Sequence, residues 1–156
     1  MDGSRATAVP ADHAGFPYKA KLITELQEAG YSIIDLGTQA EEPTDYPDHA
    51  ADIANAIQTQ KAERGILICG SGVGVSVAVN KFKGIRAAVC HDSYSAHQAV
   101  EHDDANVLCI GERIVGFELA RELVNIFLKA QFTNEPRHKR RVEKIREIEN
   151  KNMKDL

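Results

Sequence analysis

The chain has no tryptophan, two methionines and three cysteines. No apolar run approaches the roughly 18 residues that span a bilayer, which argues against a membrane protein. Cys69, Cys90 and Cys109 are odd in number and widely spaced, a poor framework for disulfides. No two of them form a Cys-x-x-Cys pair, so no metal site is expected. The opening MDGSRATAVPADHAG lacks an apolar segment of signal-peptide length. Together with the unpaired thiols this points to a reduced, cytoplasmic protein. Internal repeats, low-complexity tracts and linkers are also missing, and 156 residues suit one domain spanning 1–156.

The composition that remains is that of an ordinary globular protein, 43% hydrophobic and 27% charged. A net charge of -4 speaks against a nucleic-acid partner. The charge is uneven. From Lys129 onward there are nine lysines and arginines against five acids, a net of +4, which leaves -8 on the body. Such a tail either forms a solvated, salt-bridged helix or meets an anion or the acidic body of a partner subunit.

Short apolar runs alternate with helical patterns. Residues 5–10, 31–36, 65–69, 85–90 and 106–110 read as strands. A helix from Phe16 carries Phe16, Ile23, Leu26 and Ala29 on one face and stops at Gly30. A second helix turns Ile53, Ala54 and Ile57 inward, a short third ends before Gly84, and a fourth begins near Ser93. The stretch 116–130 reads as a helix apolar nearly all round. The last helix starts at Pro136 and has a narrow stripe of Val142, Ile145 and Ile148. Strands alternating with helices predict an α/β fold: a three-layer αβα sandwich on a Rossmann-like, five-stranded parallel sheet, with an extra C-terminal helix over about 136–152. In such folds ligands bind beyond the carboxyl ends of the strands, so the loops are where chemistry belongs.

The most informative loop is ILICGSGVGVS, residues 66–76. Gly70, Gly72 and Gly74 follow a buried strand directly, and a helix N-terminus comes next. Backbone N–H groups there make a cradle for a phosphate or a developing oxyanion. Cys69 stands at its rim as a candidate base or nucleophile, and Ser71 adds a hydroxyl. The same turn also reads as a tight strand-to-helix connection with Cys69 as a small buried hydrophobe. A dinucleotide site is a third reading. Val75 occupies its third glycine position, but Asp92 lies at about the right distance for the acidic residue.

Other loops carry weaker signals. In ADHAG, Asp12 and His13 suit a sugar hydroxyl and a phosphate, or else a helix cap and an exposed imidazole. In TDYPD, Asp45 and Tyr46 precede a helix-starting Pro47 and equally suit a capping turn. His102, beside Asp103 and Asp104, is either an acid–base group or a histidine favourable to a helix C-terminus. Arg137 and Arg141 share a helix face with Lys144, a pairing suited to phosphate, with His138 between them. Arg113 in GERIVG is a further strand-end cation.

Taken together, ADHAG, TDYP, ILICGSGVGVS, VAVNKFKGIRAAV, the His102 segment with ANV, GERIVG and RHKRRV resemble the type-B ribose-5-phosphate isomerases over about residues 6–150. The related galactose-6-phosphate isomerases share the fold. The resemblance implies an aldose–ketose isomerase acting through an enediolate, with neither metal nor nucleotide cofactor. It implies Cys69 as the base between C1 and C2, Ser71 as helper between the oxygens, and His102 as the ring-opening group. The backbone of Gly70, Gly72, Val73 and Gly74 matches an oxyanion hole. His13, Arg113, Arg137 and Arg141 match phosphate ligands, the last two from the other subunit of a homodimer, some members pairing into tetramers. Asp12, Asp45 and Tyr46 match residues around the sugar hydroxyls, and Asn106 falls in the matching ANV segment.

Two positions depart from the family pattern. Asp103 stands where an asparagine usually helps hold the oxyanion, so its carboxylate must carry a proton or point away. Pro10 replaces the usual glycine before Ala-Asp-His and is expected to reshape the backbone near Asp12 and His13. The alternatives are an isomerase of a six-carbon sugar phosphate (allose or galactose 6-phosphate) and, because of Asp103, a sugar-phosphate-binding homologue with impaired catalysis.

Overall fold

The computed structural model describes residues 6–37 and 42–154. Five strands form one sheet: β1 (Ala6–Ala11), β2 (Ile33–Gly37), β3 (Ala62–Cys69), β4 (Ala87–Val89) and β5 (Val107–Gly111). Six helices accompany them: α1 (Phe16–Glu28), α2 (Tyr46–Gln58), α3 (Val73–Val79), α4 (Ser93–Asp103), α5 (Phe117–Lys129) and α6 (Pro136–Asn152). All pairings are parallel, in the order β2-β1-β3-β5-β4. Each expected strand and helix is present, with ends displaced by a few residues. The GTQA-to-TDYP loop lies outside the described residues at 38–41.

Side chains alternate across each strand because successive Cβ atoms point to opposite faces. Val9, Ala11, Ile66, Ile68, Leu108 and Ile110 join a core with α1, α4 and α5. Ala8, Leu67, Cys69, Val107 and Cys109 join a second core with α2 and α3. The strands are apolar on both sides for that reason, as a parallel sheet between helix layers requires.

Three expectations need correction. α5 buries one face, through Ala120, Leu123, Val124 and Phe127, while Glu118, Glu122 and Lys129 are exposed. The stripe on α6 is buried only at Val142, with Ile145 and Ile148 exposed. On α1, Leu22 and the aliphatic stem of Lys19 are inward, whereas Ala29 is exposed. Lys19 is 1% exposed and its Nζ donates to Asp35 Oδ1 and the Leu36 carbonyl, which explains a buried lysine that hydrophobic counting passes over.

Pro10 lies in an inner strand, opposite Leu36. The strand runs through it to Ala11, and the next N–H, of Asp12, donates to the Ile68 carbonyl at 3.2 Å. The β1–β3 pairing thus places the loop after β1 beside the loop after β3.

Candidate active site

A cleft of about 300 Å³ opens at the carboxyl ends of β1, β3 and β5, lined by Asp12, Tyr46, Cys69, Gly70, Ser71, Gly74, Arg113 and Ile114. Here the strand order reverses between β1 and β3, the usual place for a ligand in an open α/β sheet. Larger hollows of about 410, 490 and 500 Å³ lie at the opposite end of the sheet.

Cys69 ends β3 and is buried. The chain turns sharply back at Gly72, whose φ of 79° lies in the left-handed region that a side chain disfavours. That turn aims the Gly72 N–H at the Cys69 sulfur, 3.0 Å away. Ser71 is exposed and its Oγ accepts from the Val73 N–H at 3.2 Å, leaving its own O–H proton free to turn.

The loop after β5 is bound to the loop after β3. The Glu112 N–H donates to the Cys69 carbonyl at 2.9 Å, and the Arg113 N–H donates to the Gly70 carbonyl at 3.0 Å. A Cβ on Gly70 would lie 3.5 Å from the Arg113 guanidinium, so that cation sits over the turn. A Cβ on Gly74 would fall 2.9 Å from the Tyr46 ring, so the tyrosine walls the other side.

Asp12 is 7% exposed and its Oδ1 accepts from the Gly15 N–H at 3.0 Å, so it braces its own turn as well as lining the cleft. His13 Nδ1 accepts from the Thr44 N–H at 3.3 Å, and Thr44 Oγ1 lies 2.8 Å from His49 Nε2. These contacts join the ADHAG and TDYP loops. Asp45 is exposed at the start of α2 and makes no capping hydrogen bond, so the capping reading of its side chain does not hold. Asp92 does cap α4, accepting from the Ser95 N–H, which occupies the carboxylate that a dinucleotide site would need.

A second cluster lies elsewhere. His102 is in the last turn of α4, which returns the chain to the start of β5. Its ring stacks on that of His138, with centroids 4.0 Å apart and planes 22° apart. Gln98 Nε2 is 3.1 Å from His102 Nδ1. His138 is 2% exposed, and burial first, then His102 and Arg137, holds its pKa below the usual histidine value. Arg137 and Arg141 on the same turn of α6 are exposed, and Arg137 Nε donates to Glu135 Oε2 at 3.0 Å. The Thr133 N–H donates to the Glu101 carbonyl, which fastens the start of α6 to the end of α4.

Within one chain the structure therefore does not bring His102, Asp103, Arg137 and Arg141 to Cys69. The two clusters are separated by the length of β5, on the order of 15 Å. Asn106 lies at the same end of the sheet as His102. Its Oδ1 accepts from the Arg86 N–H at 2.8 Å and its Nδ2 donates to the Gly84 carbonyl at 2.8 Å. It laces the starts of β4 and β5, and within one chain it does not reach the Cys69 cleft.

A family model described as ribose/galactose isomerase matches residues 7–145. This chain belongs to that family. It is 48% identical over 142 residues to ribose-5-phosphate isomerase B of Escherichia coli, covering 91% of this chain and 95% of the relative. A solved ribose-5-phosphate isomerase B of Clostridium thermocellum superposes with a TM-score of 0.91 at 46% identity, covering 94% of this chain and 98% of that one. A Mycoplasma genitalium ribose-5-phosphate isomerase B solved with bound ribulose-5-phosphate gives 0.88 at 38% identity, covering 94% and 97%. The family assignment accords with a cleft that offers a cysteine, a hydroxyl and a guanidinium around one backbone turn. Sequence reasoning passed over Thr44, His49 and His91; Thr44 reaches His13 and His91 reaches Gly111 over long range, and His49 meets Thr44 five residues away. No helix among the described residues is long and apolar enough to cross a membrane.

Proposed function

We propose that this chain interconverts ribose 5-phosphate and ribulose 5-phosphate, with Cys69 as the base. The observation that carries the reading is the Gly72 N–H on the Cys69 sulfur, inside a cleft that also holds Ser71 and Arg113. The relatives named above act on this sugar pair, which supports the choice of a five-carbon substrate.

In the open-chain aldose the Cys69 thiolate takes the C2 proton. The C2–H electron pair becomes the C1=C2 bond, and the carbonyl pair moves onto O1 as the enediolate charge. The backbone of Gly70, Gly72, Val73 and Gly74 surrounds that charge, and the Gly72 and Val73 N–H groups, which donate to Cys69 Sγ and Ser71 Oγ in the free site, turn to it as it forms. Ser71 carries the proton from O2 to O1. The thiol then returns its proton to C1, and O2 becomes the ketone oxygen. Atoms and electrons balance with no oxidant. Asp12, Asp45 and Tyr46 hold the sugar hydroxyls, and His13 and Arg113 take the phosphate.

The ring-opening group, His102, and the phosphate ligands Arg137 and Arg141 come from a second copy of the chain. A homodimer that sets the α4–α6 corner of one protomer on the cleft of the other completes both sites. Apolar side chains around the cleft support this: Tyr46, Val73, Val77 and Ile114 are 43%, 55%, 58% and 58% exposed. The +4 tail and -8 body are complementary in the same sense.

The test is turnover of ribose 5-phosphate by wild type and by Cys69→Ala, with solvent proton exchange at C2. Wild-type turnover and loss of both signals in the variant support the reading. An inactive wild type that turns over allose or galactose 6-phosphate would move the substrate to six carbons. Exchange at C2 that survives in Cys69→Ala would remove Cys69 as the base.

A further inference from the structure

His91 lies two residues beyond the end of β4 at Val89, with Cys90 between. The last strand bond there runs from the Cys90 N–H to the Cys109 carbonyl, at 3.3 Å. Two residues farther along β5 no strand remains to receive the Gly111 N–H. The His91 ring takes that place: its Nε2 accepts from the Gly111 N–H at 2.9 Å. A ring nitrogen that accepts has no proton, so the neutral ring carries its proton on Nδ1.

Gly111 is the residue on which the cleft loops converge. Its carbonyl accepts from the N–H groups of Ile114 and Val115, closing the turn that carries Arg113. A Cβ on it would lie 2.6 Å from the Ser71 carbonyl carbon, so the Gly111 backbone lies directly against Ser71. On its β3 side the turn is bound to Cys69 and Gly70 by the Glu112 and Arg113 N–H groups. On its β4 side the described residues show the His91 ring. A shift of Gly111 toward β4 would remove the surface against which Ser71 packs and displace the turn that carries Arg113, loosening both relative to the cysteine.

We propose that His91 is a positioning residue for the isomerase site: its Nε2 holds the Gly111 turn, and through it Ser71 and Arg113, in register with Cys69. The proposal rests on the isomerase reading given above. His91 does not touch the cleft, so its effect is indirect. Burial lowers its pKa more than the adjacent Asp92 carboxylate raises it, which keeps the ring a neutral acceptor at neutral pH. Ser71 packs against Gly111 directly, whereas Arg113 has its own bond to Gly70. Loss of the acceptor therefore lowers kcat more than it raises KM.

The experiment compares wild type, His91→Leu and His91→Gln. Leucine removes the acceptor while keeping bulk, and glutamine supplies an oxygen near the Nε2 position. In His91→Leu the Gly111 amide should exchange about tenfold faster, and kcat/KM for ribose 5-phosphate should fall about tenfold, mainly in kcat. In His91→Gln both should return to within about threefold of wild type. A leucine variant with wild-type kcat/KM, or a glutamine variant as impaired as leucine, would overturn the proposal. If His91→Leu does not fold, the imidazole nitrogen spectrum of wild type decides: an Nδ1–H tautomer supports the bond and an Nε2–H tautomer refutes it. Tautomer and amide exchange are read without substrate. An inactive wild type would therefore strike the isomerase reading alone, with affinity for ribose 5-phosphate then replacing kcat/KM in the comparison.

Discussion

His138 is buried beneath the ring of His102, stacked at 4.0 Å, and neither of its ring nitrogens has a hydrogen-bond partner among the described residues. Its Nε2 is 3.7 Å from Glu135 Oε2, too far for such a bond. The pair places a ring that resists protonation directly on the proposed ring-opening group.

That arrangement predicts an acid-sensitive fold. The His138 pKa is lowered in the folded state, and that of His91 is lowered too. Between the folded and unfolded values the unfolded chain binds more protons, so stability rises with pH across this window. It is fully present above about 6.5 and is lost as pH falls through the folded values. The melting temperature should drop between pH 7 and pH 5. His138→Phe should flatten that dependence and leave the part belonging to His91. An unchanged slope in the variant would show that His138 is not responsible.

If each site takes Cys69 from one protomer and His102 from the other, two inactive variants should rescue each other. Cys69→Ala and His102→Ala homodimers have no intact site. Random mixing after unfolding and refolding makes half of the dimers hybrids with one intact site each, so about a quarter of wild-type activity should return. A mixture as inactive as its components would place both residues in the same protomer's site.

Asp103 is exposed at the end of α4, next to His102. Its carboxylate would oppose enediolate charge if it faced the completed site. Asp103→Asn should raise kcat, by about threefold to tenfold. A kcat equal to wild type at every pH would mean that the carboxylate points away from the reacting oxygens.

Gly72 couples backbone strain to chemistry. At φ 79°, with the Ile110 carbonyl carbon 3.1 Å from where a Cβ would stand, alanine is strained and crowded. Gly72→Ala should cost about 1–2 kcal/mol of stability. It should also turn the N–H away from the Cys69 sulfur, so kcat should fall by about tenfold or more. Full activity in a folded variant would show that this N–H does not matter to the thiol.

The alternation of strands and helices was legible because local dihedral preference and burial of both sheet faces leave a periodic trace. Loop chemistry was legible where it is local. Cys69 and Gly72 are three residues apart, and the glycine turn that ends in left-handed Gly72 brings them into contact. Asn106 shows where such reading stops. It lies in a matching segment, but its amide is committed to Arg86 and Gly84, which are distant in sequence and adjacent only because β4 pairs with β5.

The sequence by itself determined the layers, the loops at the strand ends and the cysteine at the rim of a glycine turn, since these depend on neighbours a few residues away. Tertiary structure alone decided that His102 and Cys69 lie at opposite ends of one sheet, and that His91 reaches Gly111. Parallel strands force each connecting helix to run back along the sheet, so the end of α4 must lie a full strand length from the end of β3. No pattern of residue types records that distance, because it is set by strand order.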